Sequence, residues 1–219
     1  MQRPLAALAT ALAVLLTASA AGASSVPVDT WSYSSTTNQL DGANGSLPFS
    51  IKGGAATYDA SGTPAIEFTA APSLATYTGT TFVTPGAADF TYEAVMSMDR
   101  LHLRSTPNVF QHGLYNSPQI KLQLNRAGVP QCVLNGTGGR IMLTSATPSL
   151  NDGGRQHAFS CWRAGDTVGV TVDGVSTSAT FALGTVTPTG KPTAGNRTAS
   201  GKPADQLFGK IWRVSVAIG

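Results

Sequence analysis

From residue 26 onward, apolar and polar positions alternate in short runs separated by turn residues, and no run sustains the three-to-four-residue period of an amphipathic helix. The clearest run is 89–98, where Phe90, Tyr92, Ala94, Met96 and Met98 alternate with Thr91, Glu93, Val95 and Ser97. A period of two sends neighbouring side chains to opposite faces, so this stretch predicts a half-buried strand. Further strands are predicted at 108–114, 119–125, 129–134, 140–144 and 156–163, with Ile120, Leu122 and Leu124 on one face. Residues 167–181 read as a hairpin: Val168, Val170 and Val172 alternate up to Asp173-Gly174, and the chain returns from Val175 to Phe181. Asp-Gly suits a type I′ turn, whose two central residues both need positive φ. Arg126-Ala127-Gly128 and the glycine-rich stretch 135–139 predict two more turns, which makes the succession an antiparallel meander. The last run, 209–218, sets Trp212, Val214, Val216 and Ile218 on one face, with Trp212 expected in the core, and Arg213 and Ser215 on the other. So apolar a terminal strand must be inserted among the others. Residues 188–204, rich in Gly, Pro, Thr and Lys, read as a loop.

Composition agrees with this pattern. Of 219 residues, 42% are hydrophobic and 11% charged, with 24 Gly and 13 Pro. A helical bundle needs Glu, Lys and Arg on its wet faces, whereas Thr, Ser, Asn and Gln supply the polarity here and are tolerated on a sheet surface. The fold class expected is therefore all-β, an antiparallel sandwich. The net charge is +3 and no run of Lys and Arg occurs, so the chain lacks the electrostatic footprint of a nucleic-acid binder.

The first residues read differently. Arg3 precedes an apolar run, Leu5 to Leu16, too short to span a bilayer, and Ala18-Ser19-Ala20 and Ala21-Gly22-Ala23 follow as small-residue cleavage sites. Residues 1–23 are thus expected to be a signal peptide and 24–219 the mature, secreted, extracellular domain. No later segment reaches the length of a membrane span. Sequons at Asn44, Asn135 and Asn196 matter only in a host that glycosylates them.

Several segments in order resemble a known family. Asp89-Phe90-Thr91-Tyr92-Glu93-Ala94 looks like the strand that opens its conserved half. Asn108 to Tyr115 looks like the strand ending in Gln-Lys-Gly, with His112 in place of Lys. Asn151-Asp152-Gly153-Gly154-Arg155-Gln156-His157 looks like the Asp-Gly-x-Trp-His turn, with Gln156 where Trp is usual. Asp166 to Gly174 matches the Val-x-Val-x-Val-Asp-Gly hairpin, and Phe208 to Val214 the closing strand approximately. Over about residues 60–219 the chain resembles laminin-G-like domains of the concanavalin A-like lectin/glucanase superfamily, especially secreted actinobacterial members with one internal disulfide. The resemblance implies a jelly roll of two packed antiparallel sheets. It implies less about activity, because function sits in loops and faces grafted on the fold.

Two cysteines in an exported chain are usually paired, and Cys132 and Cys161 fall in nearby strands of the meander, so a disulfide between them is expected. A glucanase of this superfamily carries its two carboxylates as Glu-x-Asp-x-x-Glu along one strand; here the only glutamates are Glu67 and Glu93, and neither lies in such a motif. Gln119-Ile120-Lys121 has the outline of the Gln-Ile-His strand of jelly-roll alginate lyases, with Lys121 in the His position, but the Tyr-Phe-Lys-Ala-Gly segment is absent. His102, His112 and His157 lack metal-ligand spacing and read as structural. A non-enzymatic domain binding carbohydrate or an extracellular protein is the leading reading. A polysaccharide-active enzyme with an unrecognised site and a structural interaction module stay open beside it.

Laminin-G-like domains often hold ligands through calcium at one rim, which here would draw on Asp41, Asn44, Asp59, Asp99, Asp152 and Asp205, though Asp41 and Asp152 precede glycine and read first as turn formers. Aromatic rings are the other signal of a sugar platform. Trp31, Tyr33, Tyr77 and Tyr115, expected in loops or at strand ends, are the candidates for stacking.

Overall fold

A computed structural model describes residues 26–69, 73–101, 106–197 and 205–219; the expected export segment 1–23 and His102 lie outside them. The described strands are β1 (Val26–Ser34), β2 (Gln39–Gly42), β3 (Phe49–Lys52), β4 (Ala55–Tyr58), β5 (Pro64–Phe68), β6 (Leu74–Tyr77), β7 (Phe90–Met98) and β8 (Asn108–His112) in the first half. The second half holds β9 (Gln119–Leu124), β10 (Pro130–Gly136), β11 (Gly139–Thr144), β12 (His157–Ala164), β13 (Thr167–Val172), β14 (Val175–Thr180), β15 (Thr193–Ala194) and β16 (Gly209–Ile218). Among the described residues no helix is long and apolar enough to cross a membrane.

Hydrogen bonds join the strands in the order β11-β10-β9-β8-β15-β6-β3-β2-β1-β16-β7-β12-β13-β14, with β5 on β16 and β4 on β5. The path folds over near β2 and β3. A first sheet, β11 to β3, thereby packs on a second, β1 to β14, with β10 over β12 and β13, and β9 over β12. This is the expected antiparallel jelly-roll β-sandwich. The C-terminal strand β16 lies between β1 and β7, inserted as its apolar run requires. The Asp-Gly hairpin forms as predicted, with φ of 48° at Asp173 and 84° at Gly174. The 188–204 stretch departs from expectation: it contains β15, a two-residue strand completing the first sheet between β8 and β6.

The core fills the space between the sheets. Phe90, Tyr92, Ala94, Met96 and Met98 of β7 point inward as the alternation predicts. Cys132 of β10 and Cys161 of β12 are fully buried and joined by a disulfide across the layers, with Cα atoms 5.4 Å apart. At one end Trp31, Phe49, Tyr77 and Phe82 form an aromatic cluster, the Trp31–Phe82 centroids 5.3 Å apart and Tyr77–Phe82 4.8 Å. Trp31, Tyr33 and Tyr77 therefore sit in the core and not in exposed loops; β1 alternates Trp31 and Tyr33 with Ser32 and Ser34, and the aromatic members face inward.

His112 packs edge-on against Phe82 at 5.1 Å and is almost wholly buried. Burial holds its ring well below the usual value, down to about 4, with the Gly190 backbone pulling weakly the other way. The unfolded chain thus binds the extra proton first. Stability is expected to fall by about 1.4 kcal/mol per pH unit as pH drops from about 6.5 to about 4. Urea midpoints across that range check this, and His112→Leu should flatten the slope.

A buried carboxylate organises the β2–β3 loop. Asp29 in β1 accepts the N–H groups of Thr30 (2.6 Å), Asn44 (3.0 Å) and Ser46 (3.3 Å). Burial alone would raise it, but the Ser46 hydroxyl and these N–H donors reverse that and hold Asp29 below the usual carboxylate range. Its contribution is present above that range and is lost as pH falls through the lowered folded value. Asp29→Ala strands the donors and should destabilise the protein by about 2 kcal/mol, read from chemical denaturation at neutral pH.

Candidate functional site

Two regions stand out, one on the outer side of each sheet. On the second sheet, an open cleft of about 600 Å³ is lined by residues that include Val95, His157, Asp173, Trp212 and Arg213. It forms where β16 carries a bulge between Ile211 and Arg213, as β5 hands over to β1 along its edge. The extra residue is Trp212. The bulge takes it out of the continuous core expected for it and sets it in the cleft wall, still buried.

The ionic groups around this cleft satisfy one another. His157 Nδ1 lies 2.6 Å from Asp173 Oδ2 and Nε2 3.1 Å from Asp152 Oδ2, while the Ala158 N–H donates to Asp173 Oδ1 at 2.9 Å. Burial pushes Asp173 up, but the His157 hydrogen bond, the Ala158 N–H and the charges of His157 and Arg155 outweigh it and hold the carboxyl low. Arg213 pairs with Glu93 at 3.1 Å. His157 is thus a structural clamp tying the start of β12 to the β13–β14 turn and the 151–156 loop.

The outer side of the first sheet is different. Because β9 turns Ile120, Leu122 and Leu124 inward, it must turn Gln119, Lys121 and Gln123 outward. Antiparallel register aligns these with their neighbours in rows. One row runs Thr193, Gln111, Lys121, Val133, Met142 across β15, β8, β9, β10 and β11. A second runs Gln123, Gln131, Thr144, and a third Gln119, Asn135, Arg140. The amides form a chain: Gln123 Nε2 donates to Gln131 Oε1 at 3.0 Å, and Gln131 Nε2 to Thr144 Oγ1 at 3.0 Å. Gln111 and Gln119 both donate to the Gly113 carbonyl, and Asn135 to that of Ser117 at 2.6 Å. These donations hold the β8–β9 turn against the face.

Although they point away from the core, Gln111, Gln119, Lys121, Gln123 and Gln131 are all buried, Lys121 to 9% exposure. At the rim, Tyr115 is 63% exposed with the Arg140 guanidinium 4.6 Å over its ring, and Met142, two residues along β11 from Arg140, is exposed as well. Tyr115 is therefore the sequence-predicted aromatic that stands free. Trp162, on the opposite sheet, is half-buried, its N–H given to Thr171, and its ring covers Gly169 so closely that a Cβ there would lie 2.2 Å from it.

Lys121 carries the unusual electrostatics. Burial pushes its ammonium down to about 8; Asp205 works against this, and Arg197 and Arg140 add to it. Arg197 is itself paired with Asp205 at 2.9 Å.

The carboxylates and amide proposed from sequence for calcium do not converge. Asp41 accepts from Thr37, Asp59 from Ser61 and Thr63, and Asp152, Asp99 and Asp205 face His157, Lys210 and Arg197. Among the described residues no group of three or more His, Cys, Asp or Glu side chains is placed to hold a metal ion. Sequence reasoning put Lys121 in the His position of the alginate-lyase strand and did not single out the surrounding glutamines. The available signal was glutamine recurring at 111, 119, 123 and 131 opposite apolar partners.

No protein-family model matches the chain, and no curated protein matches it in sequence. Solved structures share its fold. Domains LG4–5 of the mouse laminin α1 chain match with a TM-score of 0.50 and 16% identity over 64% of this chain and 38% of that one. The binding domain of Paraclostridial mosquitocidal protein 1 matches with a TM-score of 0.67 and 12% identity over 87% of this chain and 48% of that one. Domain 4 of AbnA, an extracellular GH43 arabinanase of Geobacillus stearothermophilus solved with arabinotriose, gives a TM-score of 0.63 and 12% identity over 89% and 93%. This chain thus spans less than half of the first two and nearly all of the third. At these identities the likeness shows the fold alone, an antiparallel jelly-roll β-sandwich.

Proposed function

We propose that residues 24–219 form a secreted, non-enzymatic carbohydrate-binding domain that holds a sugar chain along the outer face of the first sheet, after residues 1–23 have directed export as in the secreted actinobacterial domains it resembles. The observation that carries this reading is the buried, amide-rich face ending in the exposed Tyr115–Arg140 pair. Planar amides fixed by their neighbours donate to and accept from sugar hydroxyls. A ring braced by a guanidinium offers an apolar surface to the C–H side of a pyranose or furanose. The arabinotriose in the similarly folded arabinanase domain supports a carbohydrate ligand for this architecture.

Catalysis has less support. Among the described residues, no pair of free carboxylates of the kind glycoside hydrolysis needs lies on this face: Asp205 is engaged with Arg197, and Glu67 and Glu93 face Lys210 and Arg213 elsewhere. The test is a polysaccharide-binding panel with the oxidised mature protein, run in calcium and in EDTA. Binding to at least one polysaccharide is expected in both buffers, and Tyr115→Ala should weaken it about tenfold. Absence of binding across the panel would move the reading to a protein partner; loss in EDTA alone would move the site to the rim carboxylates.

A further inference from the structure

Resting on that carbohydrate reading, we propose that the sugar chain held on this face is anionic and that one of its carboxylate or sulfate groups pairs with the Lys121 ammonium. Several cations elsewhere in the described structure have their partners. Arg163, also buried, donates to the carbonyls of Gly86, Ala88 and Gly184; Lys210 faces Asp99 and Glu67; Arg213 pairs with Glu93 and Arg197 with Asp205. Among the described residues, the Lys121 ammonium makes no hydrogen bond or ion pair, although the residue is only 9% exposed. Beside it in the same row, Gln111 Oε1 is buried without a partner.

A lysine packed this closely, whose ammonium finds no partner in the chain, is completed by an acceptor from outside. The surrounding charge selects the kind of acceptor. Lys121, Arg140 and Arg197 are cationic and Asp205 is the one anion among the groups that act on the ammonium, which leaves the face positive. A neutral glycan would meet the glutamines and Tyr115 but leave that excess uncompensated. An anionic one neutralises it while the same amides read its hydroxyls. Lysine presents a compact point charge with no fixed planar geometry, so it accepts a carboxylate or a sulfate equally.

The test uses calorimetry with three probes, polygalacturonate, dextran sulfate and neutral arabinan, on the mature oxidised protein. At least one anionic polymer should bind about tenfold more tightly than arabinan at low salt, and its affinity should fall as ionic strength rises. Lys121→Met should weaken that binding about tenfold or more, with Lys121→Arg retaining part of it. Arg213→Gln, a charge removed from the opposite sheet, should leave it unchanged. Circular dichroism and a thermal melt establish that each variant is folded. Arabinan binding as tightly as the anionic polymers overturns the anionic assignment and leaves the carbohydrate reading standing. Anionic binding that Lys121→Met does not alter overturns the assignment to Lys121. No binding to any of the three removes the carbohydrate reading for these polymer classes, and this inference falls with it.

Discussion

Replacing Lys121 with methionine is expected to raise the stability of the free protein at neutral pH by about 3 kcal/mol, while weakening ligand binding. The magnitude follows from linkage. Lysine in the unfolded chain keeps its usual value of 10.5 and in the folded protein titrates near 8, so between those values the unfolded chain holds the more protons. The wild-type protein therefore gains stability as pH rises from about 8 to about 10.5 and carries the full penalty below that window. Methionine has no charge to withdraw from water and lies in a row with Val133 and Met142, where an apolar side chain packs without loss. Urea unfolding of both proteins at pH 7 and above pH 10 separates this account from a simple packing gain: the difference should be large at the first pH and shrink at the second. A pH-independent difference would mean that burial of charge is not the cause. A residue that weakens the fold in this way fits a binding group, since stability and function compete where a site must stay unsatisfied until its ligand arrives.

How far the sequence predicts this face shows where one-dimensional patterns stop. The strands of residues 89–180 are legible because a period of two is local: β7, β9 and the β13–β14 hairpin follow directly from alternation and from Asp173-Gly174. Strand β15 is illegible, since two residues, Thr193 and Ala194, carry no period and are held there by their neighbours β6 and β8. The bulge at Trp212 is equally hidden. One extra residue within Ile211-Trp212-Arg213-Val214 shifts the phase, and only the pairing with β5, β7 and β1 places the shift. For the site, Tyr115 was readable as exposed because Asn116, Ser117 and Pro118 mark a turn around it. Trp31, Tyr33 and Tyr77 lie in Ser- and Thr-rich surroundings that look like loop, yet Ser32 and Ser34 are the outward half of a strand. Burial of Lys121 was not readable at all. Alternation tells which face of β9 it occupies, but whether that face meets water depends on segments far away in sequence, among them Asn196, Arg197 and Asp205.

Opening the Cys132–Cys161 bridge is expected to lower stability by about 3–4 kcal/mol, because the two cysteines are separated by 29 residues and the link removes that much closure entropy from the unfolded chain. The bridge ties β10 to β12, one strand from each sheet, and both sulfurs are fully buried. A reductant added to the native protein should therefore act slowly, at the rate at which the sandwich opens. Denaturant unfolding of the oxidised protein, the reduced protein and a Cys132→Ala/Cys161→Ala double variant measures the effect. A loss below about 1 kcal/mol would show that the unfolded chain already keeps β10 near β12, and the entropic account would fail. The bridge also bears on the binding face, because Gln131 and Val133 flank Cys132 on the outward side of β10. Loosening β10 should weaken the Gln123–Gln131–Thr144 amide chain before the protein unfolds, so ligand affinity should fall in reductant at concentrations of denaturant where the fold persists. Domains of this size are stable by only about 5–15 kcal/mol, so a loss of this order takes a large share of the margin. A bridge of that worth would suit an oxidising compartment, in keeping with the export proposed for residues 1–23.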